Sequence, residues 1–173
     1  DPETHGILVQ LPLPKKFNTE KIISSIDYRK DIDGFHPRNQ RNMEKCVYKV
    51  MPPLAQGIIE LVNSTKIEIE NKNIVILCNH KIFGQPFICV WGKTNQITTI
   101  TLNEKNWKEI VKLADILIVC VGKPKLIAKD LIKEHAVVID VGINKVNGRI
   151  VGDVDLKDVL EKVSFISPVP GGV

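Results

Sequence analysis

Runs of consecutive apolar residues recur through the last hundred residues of this chain. Asn73-Ile74-Val75-Ile76-Leu77-Cys78, Asp115-Ile116-Leu117-Ile118-Val119-Cys120 and Ala136-Val137-Val138-Ile139-Asp140 are three, and Ile97-Thr98-Thr99-Ile100-Thr101 is β-branched throughout. A strand that is apolar at successive positions must be covered on both faces, which is the condition of a parallel sheet between helix layers. The intervening segments carry helical patterns: Phe83 to Trp91, Asn106 to Leu113, Lys129 to Glu134 and Leu156 to Lys162. Ser164-Phe165-Ile166 is a weaker fifth strand. Strands and helices alternating at about 20 residues are βαβ units, so residues 52–163 are predicted to form an open, doubly wound α/β domain.

The segment ahead of it is less regular. Gly6 to Gln10 reads as a short buried strand, and Asn18 as the cap of a short helix. Lys30 to Asn42 is polar, carries Gly34 and Pro37, and reads as a loop. Pro52 and Pro53 precede a helical run from Leu54 to Val62, with proline where a helix start tolerates it.

Composition bounds the partners. With 173 residues, 43% apolar and 25% charged, the chain has the make-up of a soluble globular protein. The net charge of +4 comes from scattered lysines, which suits anionic small molecules and gives no nucleic-acid stripe. No apolar run reaches membrane-spanning length and the first residues are no signal peptide, so no membrane partner is expected. Cys46, Cys78, Cys89 and Cys120 form no C-x-x-C pair and read as reduced thiols of a cytosolic protein. A chain that starts at Asp1 and enters a strand at once is expected to be a piece of a longer one.

Ligands of doubly wound domains sit beyond the carboxyl ends of the strands. That rule selects residues 78–84, 101–106, 120–124 and 140–144. The dinucleotide fingerprint G-x-G-x-x-G is absent after the first strand, where Cys78-Asn79-His80-Lys81-Ile82-Phe83-Gly84 has one glycine. Either the phosphate loop is of another kind or the site is lost. Val121-Gly122-Lys123-Pro124 is a tight turn with a cation; Asp140-Val141-Gly142-Ile143-Asn144 either admits a cofactor or is a plain turn. Two further segments, Val9 to Pro14 and Ser167 to Val173, run from short strands into proline-stiffened backbone of the kind that lines a site.

Five motifs then occur in order: Val9-Gln10-Leu11-Pro12-Leu13-Pro14, Lys30-Asp31-Ile32-Asp33-Gly34-Phe35, Val138-Ile139-Asp140-Val141-Gly142-Ile143-Asn144, Gly152-Asp153-Val154-Asp155 and Pro168-Val169-Pro170-Gly171-Gly172-Val173. Together they resemble the bifunctional methylenetetrahydrofolate dehydrogenase/cyclohydrolase family over essentially the whole chain. The resemblance implies an α/β folate-binding domain ending at residue 51, a Rossmann-like NAD(P)-binding domain over 52–163, and a segment, 164–173, returning to a folate cleft. It implies oxidation of 5,10-methylenetetrahydrofolate with NADP or NAD, then hydrolysis of the methenyl product to 10-formyltetrahydrofolate, by a cytoplasmic homodimer that needs no metal.

Residue roles come from the same resemblance. Gln10 and Asp33 match catalytic positions, the carboxylate of Asp33 holding the aminopyrimidine edge of the pterin. A carboxylate offers the acceptor pair that two N–H donors require. Without the resemblance Asp33 reads as an Asx-turn residue. Val9, Leu11, Pro170, Gly171 and Gly172 match substrate-binding positions, and Asn79, His80, Ile82, Cys120, Gly122, Ile143 and Ser167 match cofactor-binding ones. Three cofactor motifs depart from the family. Gly-Arg-Ser-x-x-Val-Gly-x-Pro is here Cys78 to Pro86, with Asn79 and His80 replacing the arginine and serine; Cys-His-Ser is Asn103-Glu104-Lys105; Pro-Cys-Thr-Pro is Pro52-Pro53-Leu54-Ala55. Each loss of a charge-assisted phosphate contact weakens binding by about 1.5–3 kcal/mol. The alternative reading is therefore a degenerate homologue that binds folate or dimerises without dehydrogenase activity. The family's Tyr-x-x-x-Lys helix has no match here, so these residues alone are not expected to hydrolyse the methenyl compound.

Overall fold

The computed structural model describes residues 1–173. The chain divides into two compact units, Asp1–Gln56 and Gly57–Val173.

The first unit is built from turns and two short helices, α1 (Thr19–Ser25) and α2 (Pro37–Glu44). Asn18 caps α1 as expected, its side chain accepting the Lys21 N–H at 2.9 Å. The predicted strand at Gly6 to Gln10 reduces to one parallel bridge, Ile7 to Asp31, because a single residue pair is all the partner offers it. Residues 37–42, read as loop, lie in α2. Pro37 opens that helix, where its fixed φ fits and its missing N–H costs nothing, and His36 Nδ1 accepts the Arg38 N–H at 3.0 Å. Proline marked a helix start there, not a break.

The helix α3 (Pro53–Ser64) leads into the second unit. Its strands are β1 (Asn73–Cys78), β2 (Gln96–Ile100), β3 (Ile116–Cys120), β4 (Val137–Asp140), β5 (Asn144–Val146), β6 (Arg149–Val151) and β7 (Phe165–Ser167). The helices α4 (Gln85–Trp91), α5 (Trp107–Val111) and α6 (Leu156–Val159) lie between them. Five strands form one parallel sheet in the order β2-β1-β3-β4-β7. The predicted helix at 129–134 is a 3₁₀ turn over Lys129–Leu131.

Both sheet faces are covered, as the apolar runs require. Val75, Leu77, Leu117, Val119 and Val138 join a core with Val111, Ile127 and Val159, while Ile74, Ile76, Ile116 and Ile118 on the alternate positions are equally buried. Each such side chain contributes about 1.5–3 kcal/mol by leaving water. On α4, Phe87 stacks with Trp91 one turn on and meets Phe83, in the 3₁₀ turn before the helix, edge to face, both at centroid distances of 5.7 Å.

Residues 164–173 do not stand apart from this unit. Their first part, β7, pairs with β4 in register Val137 to Phe165, Val138 to Ile166 and Ile139 to Ser167. The β5–β6 hairpin has no counterpart in the strand reading, although Asn147-Gly148 at its tip takes positive φ at both residues (49° and 78°), as a type I′ turn demands. Cys78 and Cys120 are free thiols, whereas neither Cys46 nor Cys89 is, which corrects the all-thiol expectation for those two. No helix is long and apolar enough to cross a membrane.

Candidate functional site

The sheet order fixes where a ligand can enter the second unit. From β1 the chain moves to β2 on one side, then returns to place β3, β4 and β7 on the other. The order reverses between β1 and β3, and a crevice opens at such a switch point beyond the carboxyl ends of the strands. Cys78 and Cys120 face each other there in register. Asn79, exposed, spans the gap, its Nδ2 donating to the Val121 carbonyl at 3.2 Å.

The loop after β1 is held tightly at both ends. Cys78 is buried, and its thiol reaches the His80 carbonyl at 3.3 Å. Burial pushes that thiol up to about 11, so it is neutral and unreactive near pH 7. His80 and Ile82 project to solvent. Gly84 lies against β2 so closely that a Cβ would overlap the side chain of Thr99. This is the packing role of the third glycine in a dinucleotide loop. One glycine of that fingerprint is present, and its geometry is retained.

The turn after β2 is closed by Glu104. Its Oε2 accepts the Thr101 N–H at 2.6 Å, and its Oε1 meets Lys81 Nζ at 3.0 Å. The Thr101 N–H, then Lys81, hold this carboxylate below its usual range. Glu104 lies twenty residues beyond Gly84, the offset at which doubly wound domains place the acidic residue for a ribose hydroxyl. Sequence reasoning marks the position as a departure and assigns it no role.

The turns after β3 and β4 hang on two buried carboxylates. Asp153, fully buried, accepts the N–H groups of Val121 at 2.7 Å, Gly122 at 3.0 Å and Lys123 at 2.8 Å, and Asn144 Nδ2 at 2.8 Å. Asp140 accepts the N–H groups of Gly142 at 2.9 Å, Asp153 at 3.0 Å and Val154 at 2.9 Å. Burial raises the Asp140 pKa, against the pull of those three N–H groups. A Cβ on Gly142 would overlap the Asp153 carboxylate, and one on Gly152 the Asp140 carboxylate. Both glycines are there so that backbone can wrap a carboxylate. The Gly152-Asp153 motif was legible in the sequence, but its partners lie between 9 and 32 residues upstream.

This scaffold presents Gly122 with φ +65° and open space around its Cα. Ile143 is 73% exposed on the turn after β4. Cys120 is half-buried, its thiol pushed up to about 11 by burial and by Asp153 and Asp140. Ser167 is placed otherwise than the open residues. It is buried, its Oγ accepts the Asp140 N–H at 2.8 Å, and it thereby ties β7 to β4. The tail continues into Pro170, exposed, Gly171 with φ +103°, and Gly172, where a Cβ would come within 2.6 Å of the Pro168 carbonyl oxygen.

In the first unit two neighbouring aspartates divide. Asp31 is buried and accepts from His36 N–H and Asn39 Nδ2, both at 2.8 Å. Asp33 is half-buried with no hydrogen bond to its oxygens, and burial, then the Asp31 charge, raises its pKa. Its acceptor pair is unspent. Gln10 is exposed, its Nε2 donating only to the Leu11 carbonyl at 3.2 Å. Val9 and Leu11 flank it, half-buried.

A dinucleotide fits the second unit. The switch-point crevice, the Gly84 packing, the open Gly122 turn and the acid after β2 are the features such a ligand needs, though Asn79 puts no cation on its phosphates. Comparison with known proteins agrees with that geometry. Residues 52–173 match the family model for the NAD(P)-binding domain of tetrahydrofolate dehydrogenase/cyclohydrolase, and residues 1–33 match its catalytic domain. The bifunctional protein FolD of Acholeplasma laidlawii is 44% identical over the whole chain, and that of a Sulfurihydrogenibium strain 46%. The chain spans 63% and 62% of those relatives' own length. Among solved structures, the bifunctional FolD enzyme of Campylobacter jejuni superposes over 99% of this chain and 62% of its own, with a TM-score of 0.91 and 37% identity. The Trypanosoma brucei enzyme, solved with NADP and an inhibitor, gives 0.86 at 32% identity over 97% of this chain and 61% of its own. By its match over both units, this chain belongs to the tetrahydrofolate dehydrogenase/cyclohydrolase family.

Proposed function

We propose that the protein carrying this chain oxidises 5,10-methylenetetrahydrofolate with NAD(P) and hydrolyses the methenyl product to 10-formyltetrahydrofolate. One observation carries this reading beyond family membership. In the Asp31-Ile32-Asp33 turn the first carboxylate is consumed by the fold, while the second keeps its acceptor pair free for a ligand with adjacent N–H donors. A reduced pterin offers that edge. Gln10 orients the folate through its side-chain amide, and Val9 and Leu11 offer backbone to it. Pro170 with its fixed φ, and Gly171 and Gly172 without side chains, supply backbone of the same kind on the second unit.

The dinucleotide, when bound, accepts the hydride. Asn79, His80, Ile82, Cys120, Gly122 and Ile143 are the residues that would hold it, and Ser167 acts on the same edge by fixing Asp140. Residues 1–51 serve as the end of the folate-binding domain, 52–163 as the NAD(P)-binding domain and 164–173 as a segment that serves the folate site. The protein works as a cytoplasmic homodimer; the apolar side chains left exposed on the second unit, among them Leu113, Ile143 and Leu160, support an assembly.

The test is an assay of the protein with 5,10-methylenetetrahydrofolate and each dinucleotide. Reduced nicotinamide should form only when folate is present, and Asp33→Asn should raise the KM for folate at least tenfold. Reduction of neither NAD nor NADP would overturn the proposal.

A further inference from the structure

We infer that Glu104 makes this protein select NAD over NADP. The inference rests on the dinucleotide reading above and names which of the two cofactors that edge accepts. NAD and NADP differ at the adenosine ribose, where one carries a 2′-hydroxyl and the other a 2′-phosphate with charge of about −1.5 to −2. In doubly wound domains that ribose lies past the end of the second strand, and the residue there reads the difference.

Here that residue is an anion fixed in place. Glu104 is anchored by the Thr101 N–H at 2.6 Å and by Lys81 at 3.0 Å, so it cannot swing aside cheaply. A carboxylate has about four acceptor sites, and these two contacts, with the Thr101 hydroxyl donating to Oε1 at 3.5 Å, leave one open for a hydroxyl donor. A 2′-hydroxyl can donate into it; a 2′-phosphate is mostly dianionic near neutral pH and meets like charge.

The cations that would rescue a phosphate are compromised. The side chain of Asn79 carries no charge to set against a phosphate, and one of its two N–H groups is committed to the Val121 carbonyl. Lys81 is held against Glu104 itself, so a phosphate that approaches it also approaches the carboxylate. Lys105 is exposed next to Glu104, so a phosphate drawn to it would sit beside the same carboxylate. Two departures from the family pattern, Asn79 and Glu104, thus act in one direction, and the pairing of Lys81 adds to them.

The experiment is calorimetric titration of the protein with NAD and with NADP in the absence of folate, which reads binding and not turnover. NAD is expected to bind at least about tenfold more tightly than NADP, the effect of one fixed like charge in partly screened surroundings. Glu104→Gln should weaken NAD by about two- to fivefold, strengthen NADP and bring the ratio near one. Lys81→Ala should preserve or increase the NAD preference, because it frees the carboxylate, and serves as the second variant should Glu104→Gln unfold. NADP bound as tightly as NAD by the unmodified protein overturns the inference, as does an unchanged ratio in folded Glu104→Gln or a lost preference in Lys81→Ala. Binding of neither dinucleotide by the folded protein would instead overturn the cofactor reading on which this rests.

Discussion

Asp153 donates its backbone N–H to the Asp140 carboxylate at 3.0 Å while its own carboxylate gathers the N–H groups of Val121, Gly122 and Lys123. Two buried acids thus hold the turns after β3 and β4 in series, with no cation between them. Backbone N–H groups supply the compensation that a buried carboxylate needs. The carboxyl edge of the sheet owes its shape to this pair.

Asp153→Asn should therefore be more damaging than its near-identical size suggests. The amide NH₂ must point at one or more of the N–H groups that the carboxylate now accepts, leaving donors facing a donor. A loss of about 2–4 kcal/mol is expected, read as a lowered urea midpoint with unchanged slope. Faster hydrogen exchange at Gly122 and Lys123 would locate the damage.

Glycine substitutions should separate by site. At Gly142 or Gly152 a methyl group enters a carboxylate, and alanine should cost about 3 kcal/mol or prevent folding. At Gly57, inside α3, a Cβ meets nothing within 4 Å. Gly57→Ala should raise stability by about 0.5–1 kcal/mol, because helical alanine loses less entropy on folding. Chemical denaturation of the three variants checks both signs.

Asp33 should show a trade of stability for binding. Its pKa is raised in the folded state, chiefly by burial, so the folded chain holds its proton more firmly than the unfolded chain. Stability from this group is present below the unfolded value and declines as pH rises through the folded one. Asp33→Asn removes that decline. The variant should be as stable as the parent in mild acid below the unfolded value, at least as stable at neutral pH, and impaired in folate binding at neutral pH. Melting curves under the two conditions with a folate titration decide it; a variant less stable at neutral pH would contradict the sign.

The thiols of Cys78 and Cys120 should be silent. With both pushed up to about 11, about one in a thousand is ionised at pH 8. A thiol reagent at that pH should leave them unmodified in the folded protein and label both in urea, as peptide mass spectrometry would show.

Ser167→Ala should act on the fold. It leaves the Asp140 N–H buried without its acceptor, at a cost of about 1–2 kcal/mol. Ser167→Thr keeps the oxygen and should recover most of that loss if the extra methyl finds room beside β4.

What the sequence determined by itself was local and periodic. The runs at 73–78, 115–120 and 136–140 are apolar on adjacent positions, and only a sheet buried on both faces hides such strands, so side-chain chemistry alone dictated the parallel fold and its ligand-bearing edge. Asn18 capped α1 because capping needs only a few consecutive residues. Where partners were distant, reading failed. Gly6 to Gln10 looked like a strand but found one bridging residue, since a ladder requires a second strand that no local pattern reveals. Pro37 signals a break or a helix start according to whether the residues after it can propagate a helix. The difference between Asp31 and Asp33, one consumed and one unspent, depends on Asn39 and His36 folding back over the first. The union of Asp140, Asp153 and Val121 joins turns from three parts of the chain, and the Lys81–Glu104 pair joins the ends of two strands. Hydrogen bonds fall off within a fraction of an ångström, so which acids become scaffold and which face a ligand was settled only when tertiary structure brought their donors within about 3 Å.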